Sequence, residues 1–315
     1  MISKELHLAV ALDGAEIFSI RQLKALVAEA ERGRLDFVTL DDSLGGTPRL
    51  DSVLVASAVA PLTRYIGLVP TVVVTHTEPF HYAKSLATLD YASRGRAGWF
   101  PVISSDPAEA AHFGRRTITG RSADLVAEVA DYVEVVRRLW DSWEDDAIIR
   151  DAATGRFVDR EKLHYIDFQG KFFNVKGPLI TPRPPQGQLP VVGSPEPWTD
   201  LVLVHPGEHI VTDGRHVFGD LVAYLGTDAS RRTRDTEAYV FAGTPTQLAE
   251  QLLAWAESGL TGFRLRPGDL DIDLTAITQE LVPILRERGA FREQYEADTL
   301  RGLLGLDRPA SRYAD

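Results

Sequence analysis

Between Leu6 and Trp140 short apolar runs alternate with stretches of helical periodicity, and no other property of the sequence narrows the fold as far. Leu6 to Leu12 is apolar and stops at Asp13-Gly14, the pattern of a buried strand. Ser19 is placed to cap a helix running to about Arg32. Its apolar residues Ile20, Leu23, Ala25, Leu26, Val27 and Ala30 fall largely on one face, and Gly33 ends it. Phe37 to Leu40 reads as a second strand, and Asp51 opens a helix over Val53 to Ala60 that ends near Pro61. Ile66 to Val74 is rich in β-branched residues and reads as a third strand. Pro79 sits where a helix to about Ser93 would begin. Ala97 to Phe100 is a short fourth strand, and Ser122 to Trp140 a long helix. Strand and helix alternate four times with short connections, which implies a parallel sheet covered by helices.

The second half is less regular. From about residue 144 to 190 the chain is polar, aromatic and proline-rich, with Phe172-Phe173 and Pro182-Arg183-Pro184-Pro185. Disordered linkers are poor in aromatics, so this stretch reads as an excursion carrying a β-hairpin. Strands are expected at Leu189–Val192, Glu208–Val211, Tyr239–Phe241 and Gly262–Leu265. Helices are expected over Thr244–Ser258 and Leu274–Arg288, the second kinked at Pro283. Eight strands in 315 residues fit one (β/α)8 barrel domain over residues 1–315. Its second half is shortened or irregular, and a tail follows from about 289 to 315. The competing fold, an open doubly wound sheet, usually carries a glycine-rich phosphate turn after its first strand. Asp13-Gly14-Ala15-Glu16 is not such a turn.

Composition removes several functions. With no cysteine there is no disulfide, zinc–thiolate site or thiol nucleophile. A net charge of −11 disfavours a nucleic-acid partner. No apolar run approaches a membrane span, so a cytoplasmic protein without a membrane partner is expected. His205 and His209 have the spacing of metal ligands on a helix, but Pro206-Gly207 between them interrupts it, and no metal site is expected. The densest chemistry is Thr75-His76-Thr77-Glu78-Pro79-Phe80-His81, just after the third strand, where a barrel has its active face. His76 and His81 are candidate acid/base groups there. The plainer alternative has Thr77 and Glu78 capping the next helix and the histidines packing beside it. Asp41 and Asp42 follow the second strand, either as functional acids or as a solvated loop. Trp99, at the end of the fourth strand, is the tryptophan best placed for a ligand.

Three segments then resemble a known pattern: Thr77-Glu78-Pro79-Phe80-His81, Leu86-Ala87-Thr88-Leu89-Asp90 and Gly95-Arg96-Ala97-Gly98-Trp99. They are similar to the bacterial-luciferase-like flavin monooxygenases, in the branch of nitrilotriacetate and dibenzothiophene-sulfone monooxygenases. Leu139 to Ala147, Gly170 to Leu179, Gly243-Thr244-Pro245 and the tail Leu306 to Tyr313 continue the resemblance in order. It implies a (β/α)8 barrel and an FMN-dependent monooxygenase. Reduced flavin would come from a separate reductase and a small organic substrate would be oxygenated. A homo-oligomer is expected as well. By the same resemblance Asp42, Thr75, Trp99, Ser104 and Ser194 are flavin-side residues, with His76 and His81 near the reacting edge.

Four positions depart from that family. Phe100 stands where an asparagine usually contacts the flavin, Val74 where a hydroxyl is usual, and Leu125-Val126 where an Arg-Tyr pair helps hold the phosphate. Pro195 replaces a serine of the phosphate loop and has no N–H to give. A hydrogen bond to a charged group is worth about 1.5–3 kcal/mol, so these changes imply weak flavin binding. Arg115, Arg116, Arg121 and Arg215 are candidate compensators. The alternative is a diverged relative with a degraded flavin site, acting as a binding or accessory protein or in non-redox chemistry.

Overall fold

The computed structural model describes residues 5–13, 18–46, 48–207, 213–226 and 238–314. The first half follows the sequence pattern closely. Strand β1 (His7–Ala11) leads to helix α1 (Ile20–Arg32), whose first turn is capped by the Ser19 side chain accepting from the Gln22 N–H. Then come β2 (Phe37–Leu40), α2 (Ser52–Val59) capped by Asp51, β3 (Gly67–Val73), α3 (Pro79–Ser93) and β4 (Phe100–Val102). A short helix α4 (Pro107–Phe113), absent from the sequence reading, precedes the long α5 (Ala123–Asp141). The excursion carries two small antiparallel hairpins, β5 (Ile148–Asp151) with β6 (Arg156–Val158) and β7 (Phe168–Gln169) with β8 (Asn174–Val175).

The chain then returns to the wall with β9 (Val192–Gly193), β10 (Leu201–Val204) and β11 (His216–Leu225), followed by β12 (Tyr239–Gly243), α6 (Pro245–Glu257) and β13 (Gly262–Pro267). It ends with α7 (Leu270–Ala276), a five-residue π turn (Ile277–Leu281), α8 (Val282–Glu287) and α9 (Leu300–Leu303). The expected kink at Pro283 takes the form of that π turn, because a proline cannot donate into a regular α-helix.

The wall is parallel, in the order β4-β3-β2-β1-β13-β11-β10-β9, with β12 paired to the upper half of β11 off this path. It closes between Trp99 and Val191 through two hydrogen bonds, Trp99 N–H to Pro190 O (3.0 Å) and Val192 N–H to Trp99 O (2.9 Å). The fold is therefore a nearly closed α/β barrel. Its irregularity lies where expected, although the strands there differ from the expected ones. Leu201–Val204 and His216–Leu225 form the sixth and seventh staves. The expected strand at Glu208–Val211 lies outside the described residues, and Tyr239–Phe241 pairs outside the eight-strand path. Seven residues (194–200) join β9 to β10, and among the described residues no helix lies between β9 and β11.

Inside the wall Ala9, Phe37, Val69, Val192, Leu201 and Phe218 form one layer, closed from below by Leu300 and Leu304 of the tail. Two glycines permit close approaches around that layer, one to the tail and one to the neighbouring strand. A Cβ on Gly67 would lie 2.7 Å from Leu300 Cδ1, and one on Gly262 would lie 2.6 Å from the His7 carbonyl. The tail is anchored by Arg292, whose guanidinium donates to the fully buried Asp36 at 2.6 Å, and His7 Nδ1 is 2.8 Å from the same carboxylate.

Candidate active site

The C-terminal ends of β3 and β4 are tied together by one side chain. Thr75 Oγ1 accepts the Ser104 N–H at 2.8 Å, so the residues just beyond the two strands form a single edge of the barrel mouth. From outside, Arg116 donates to the Thr75 carbonyl and pairs both nitrogens with Glu128 at 2.8 and 2.9 Å. The His76 ring stacks on Phe113 of α4, with centroids 4.9 Å apart, and is 7 % exposed. Burial and the nearby Arg116 charge push its pKa below the ordinary histidine value, which favours neutral imidazole. His76 Nε2 and Ser104 Oγ are both buried without a hydrogen-bond partner. Two orphaned polar atoms on one edge are unusual in a folded interior, where such groups are nearly always paired. They are what a polar ligand would satisfy.

The other expected site residues are placed differently. Asp42 accepts the Ser52 N–H at 2.9 Å, so it tethers the end of β2 to the start of α2, and burial raises its pKa. His81 projects from the first turn of α3 toward solvent with its ring edge-on to Tyr82, and has no described contact to Thr75, His76 or Ser104. Ser194 is exposed, and its carbonyl accepts the Thr199 hydroxyl at 2.9 Å. Trp99 points outward: it is fully buried between the wall and the helices, 6.1 Å from Trp140 in a T-shaped pair. The inward neighbour on that strand is Phe100, packed against the inner layer. Val74 is buried on the outer side. Glu78 is the N-cap residue of α3 without a side-chain cap bond, and it pairs at 3.1 Å with Arg115. Of the four candidate arginines, Arg116 alone has a described contact to Thr75, His76 or Ser104. Arg215 binds Asp213 and the carbonyls of Glu196 and Thr199.

The sequence reading missed a charged group in the barrel mouth. Arg264 on β13 grips Asp220 of β11 through two 2.8 Å bonds, and Arg266 grips the same carboxylate at 3.1 and 2.6 Å. The Arg264 guanidinium also lies 5.4 Å from the centre of the Phe100 ring. Burial raises the pKa of Asp13, at the end of β1, against the opposing pull of Arg264. The available signal was period-two alternation: Gly262, Arg264 and Arg266 share one face of a clear strand.

Residues 5–197 match the family described as luciferase-like monooxygenase. The chain belongs to that family. N-acetyl-S-(2-succino)cysteine monooxygenase of Bacillus subtilis (strain 168) is 30 % identical, covering 92 % of this chain and 91 % of the relative. That alignment runs over 404 positions against a chain of 315 residues, so the relative carries segments missing here. One of the pristinamycin IIA synthase subunits of Streptomyces pristinaespiralis is 31 % identical over 294 residues, covering 91 % of this chain and 90 % of the relative. Among solved structures, EDTA monooxygenase from Chelativorans sp. BNC1 superposes with a TM-score of 0.83 at 21 % identity, covering 97 % of this chain and 99 % of that one. The fold is thus that of the solved neighbour, an α/β barrel.

Proposed function

We propose that the chain is an FMN-dependent monooxygenase that oxygenates a small organic molecule with reduced flavin from a separate reductase. The observation that carries this reading is the pair of orphaned atoms, His76 Nε2 and Ser104 Oγ, on the edge fixed by Thr75. Family membership supports it, as do solved neighbours that hold FMN or a modified FMN. Bound reduced flavin would supply the electrons and the oxygen-activating centre. Thr75 and Ser104 would hold its polar side. His76, kept neutral by burial, can carry or accept one proton at Nε2. Stacking on Phe113 fixes the plane of the ring, and the surrounding apolar wall excludes water. A cytoplasmic homo-oligomer completes the proposal. No described helix is long and apolar enough to cross a membrane.

One observation favours a second reading. Phe100 faces into the barrel and offers the flavin no hydrogen bond, and a relative matched along nearly its whole length is named as part of a multi-subunit synthase. An accessory protein with weak or lost flavin binding fits both facts. Titration with FMN, followed by fluorescence quenching, separates the two. Micromolar or tighter binding that weakens in Ser104→Ala supports the enzyme; no binding at millimolar FMN supports the accessory protein.

A further inference from the structure

We propose that Phe100, Arg264 and Asp220 form a stopper that closes the barrel mouth to flat aromatic ligands. Its application to flavin rests on the function proposed above; the stopper itself does not. In the order of the wall, β4 and β13 stand on opposite sides of the eight strands. A guanidinium from one, 5.4 Å from a ring carried by the other, therefore bridges the lumen. On its far side the Phe100 ring lies against Gly193, where a Cβ would come within 3.4 Å of it. Arg264 is 3 % exposed and is held by both oxygens of Asp220, with a weaker contact from Nη1 to Thr39 Oγ1 at 3.4 Å.

An ordinary barrel layer would be branched and apolar. A buried ion pair in its place brings no assured stability, because desolvation offsets much of the attraction. Charge does give Asp220 a second companion: it keeps Arg266, which is 30 % exposed at the rim, if Arg264 moves.

The test compares the wild-type chain with Phe100→Ala and with the double variant Arg264→Met/Asp220→Leu, which removes both members of the buried ion pair and leaves Arg266 at the rim. Each is titrated with FMN by fluorescence quenching and with anilinonaphthalene sulfonate by fluorescence gain. Cooperative melting is checked for each variant. The expected result is at least a tenfold tighter affinity for both ligands in both variants, at one dye per chain. A gain for the dye alone would keep the stopper and overturn the flavin reading. No gain for either ligand in a cooperatively melting variant would overturn the stopper. So would wild-type FMN binding at micromolar affinity that neither variant improves.

Discussion

At the scale of single residues the site depends on how two side chains are left. His76 has its plane fixed by Phe113 and its Nε2 without a partner, so its main use is toward a ligand. Replacing His76 with Asn should weaken FMN binding several-fold. The stability cost should be about 1 kcal/mol, below the 2–5 kcal/mol of a core deletion, as read by urea denaturation. A loss in the core range would assign His76 to packing instead. Asp90 offers a pH test. It is fully buried and accepts from Ala97 N–H and twice from Gln186, yet burial pushes its pKa up to about 6. A carboxyl raised above its unfolded value of 3.8 contributes most below about pH 4 and loses that contribution as pH rises through 6. Relative to Asp90→Asn, the wild type should therefore gain stability on acidification from pH 7 to 4, by up to about 3 kcal/mol. A flat difference across that window would contradict the assignment.

At the scale of elements, the sequence was most legible where each strand is apolar throughout. Leu6–Leu12, Phe37–Leu40 and Ile66–Val74 mark β1, β2 and β3 to within a residue or two. The strand β11 was hidden because its first inward positions are His216, Phe218 and Asp220, which break an apolar run although Val217, Leu221, Ala223 and Leu225 pack on the outer side. The same cause hid half of the site: nothing in the sequence joins Arg264 to Asp220 until the wall brings them together. Trp99 was misplaced by one step of alternation, since its neighbour Phe100 takes the inward position. Helix α9 is too short to read from periodicity, yet Leu300 seals the barrel floor. Leu300→Ala should cost about 2–5 kcal/mol by denaturant unfolding, because the rigid strand backbones at Gly67 and Gly98 limit collapse around the void.

At the scale of the whole molecule, residues far apart in sequence fasten the barrel. Arg183 is almost fully buried and binds Asp141 and Asp145, and Arg308 of the tail binds Asp145 at 2.7 Å. The two arginines hold the Asp145 pKa down to about 2. A depressed carboxyl contributes above its unfolded value and loses that contribution as pH falls through about 2, so the Asp145 contact should hold the tail in mild acid and release it only near pH 2. Ending the chain at Gly289 would strip Arg292 from buried Asp36 and Leu300 from the floor. Such a truncation should lose cooperative thermal melting altogether. The closure between Trp99 and Val191 has its own consequence. A wall held by broad strand pairings on one side and by two hydrogen bonds on the other resembles a rolled sheet fastened at a single stitch. Amide deuteration should reveal that stitch: the N–H groups of Trp99 and Val192 should exchange well before those of Val10 and Val38. Such early exchange would come from the wall uncurling along its seam while its individual staves stay formed.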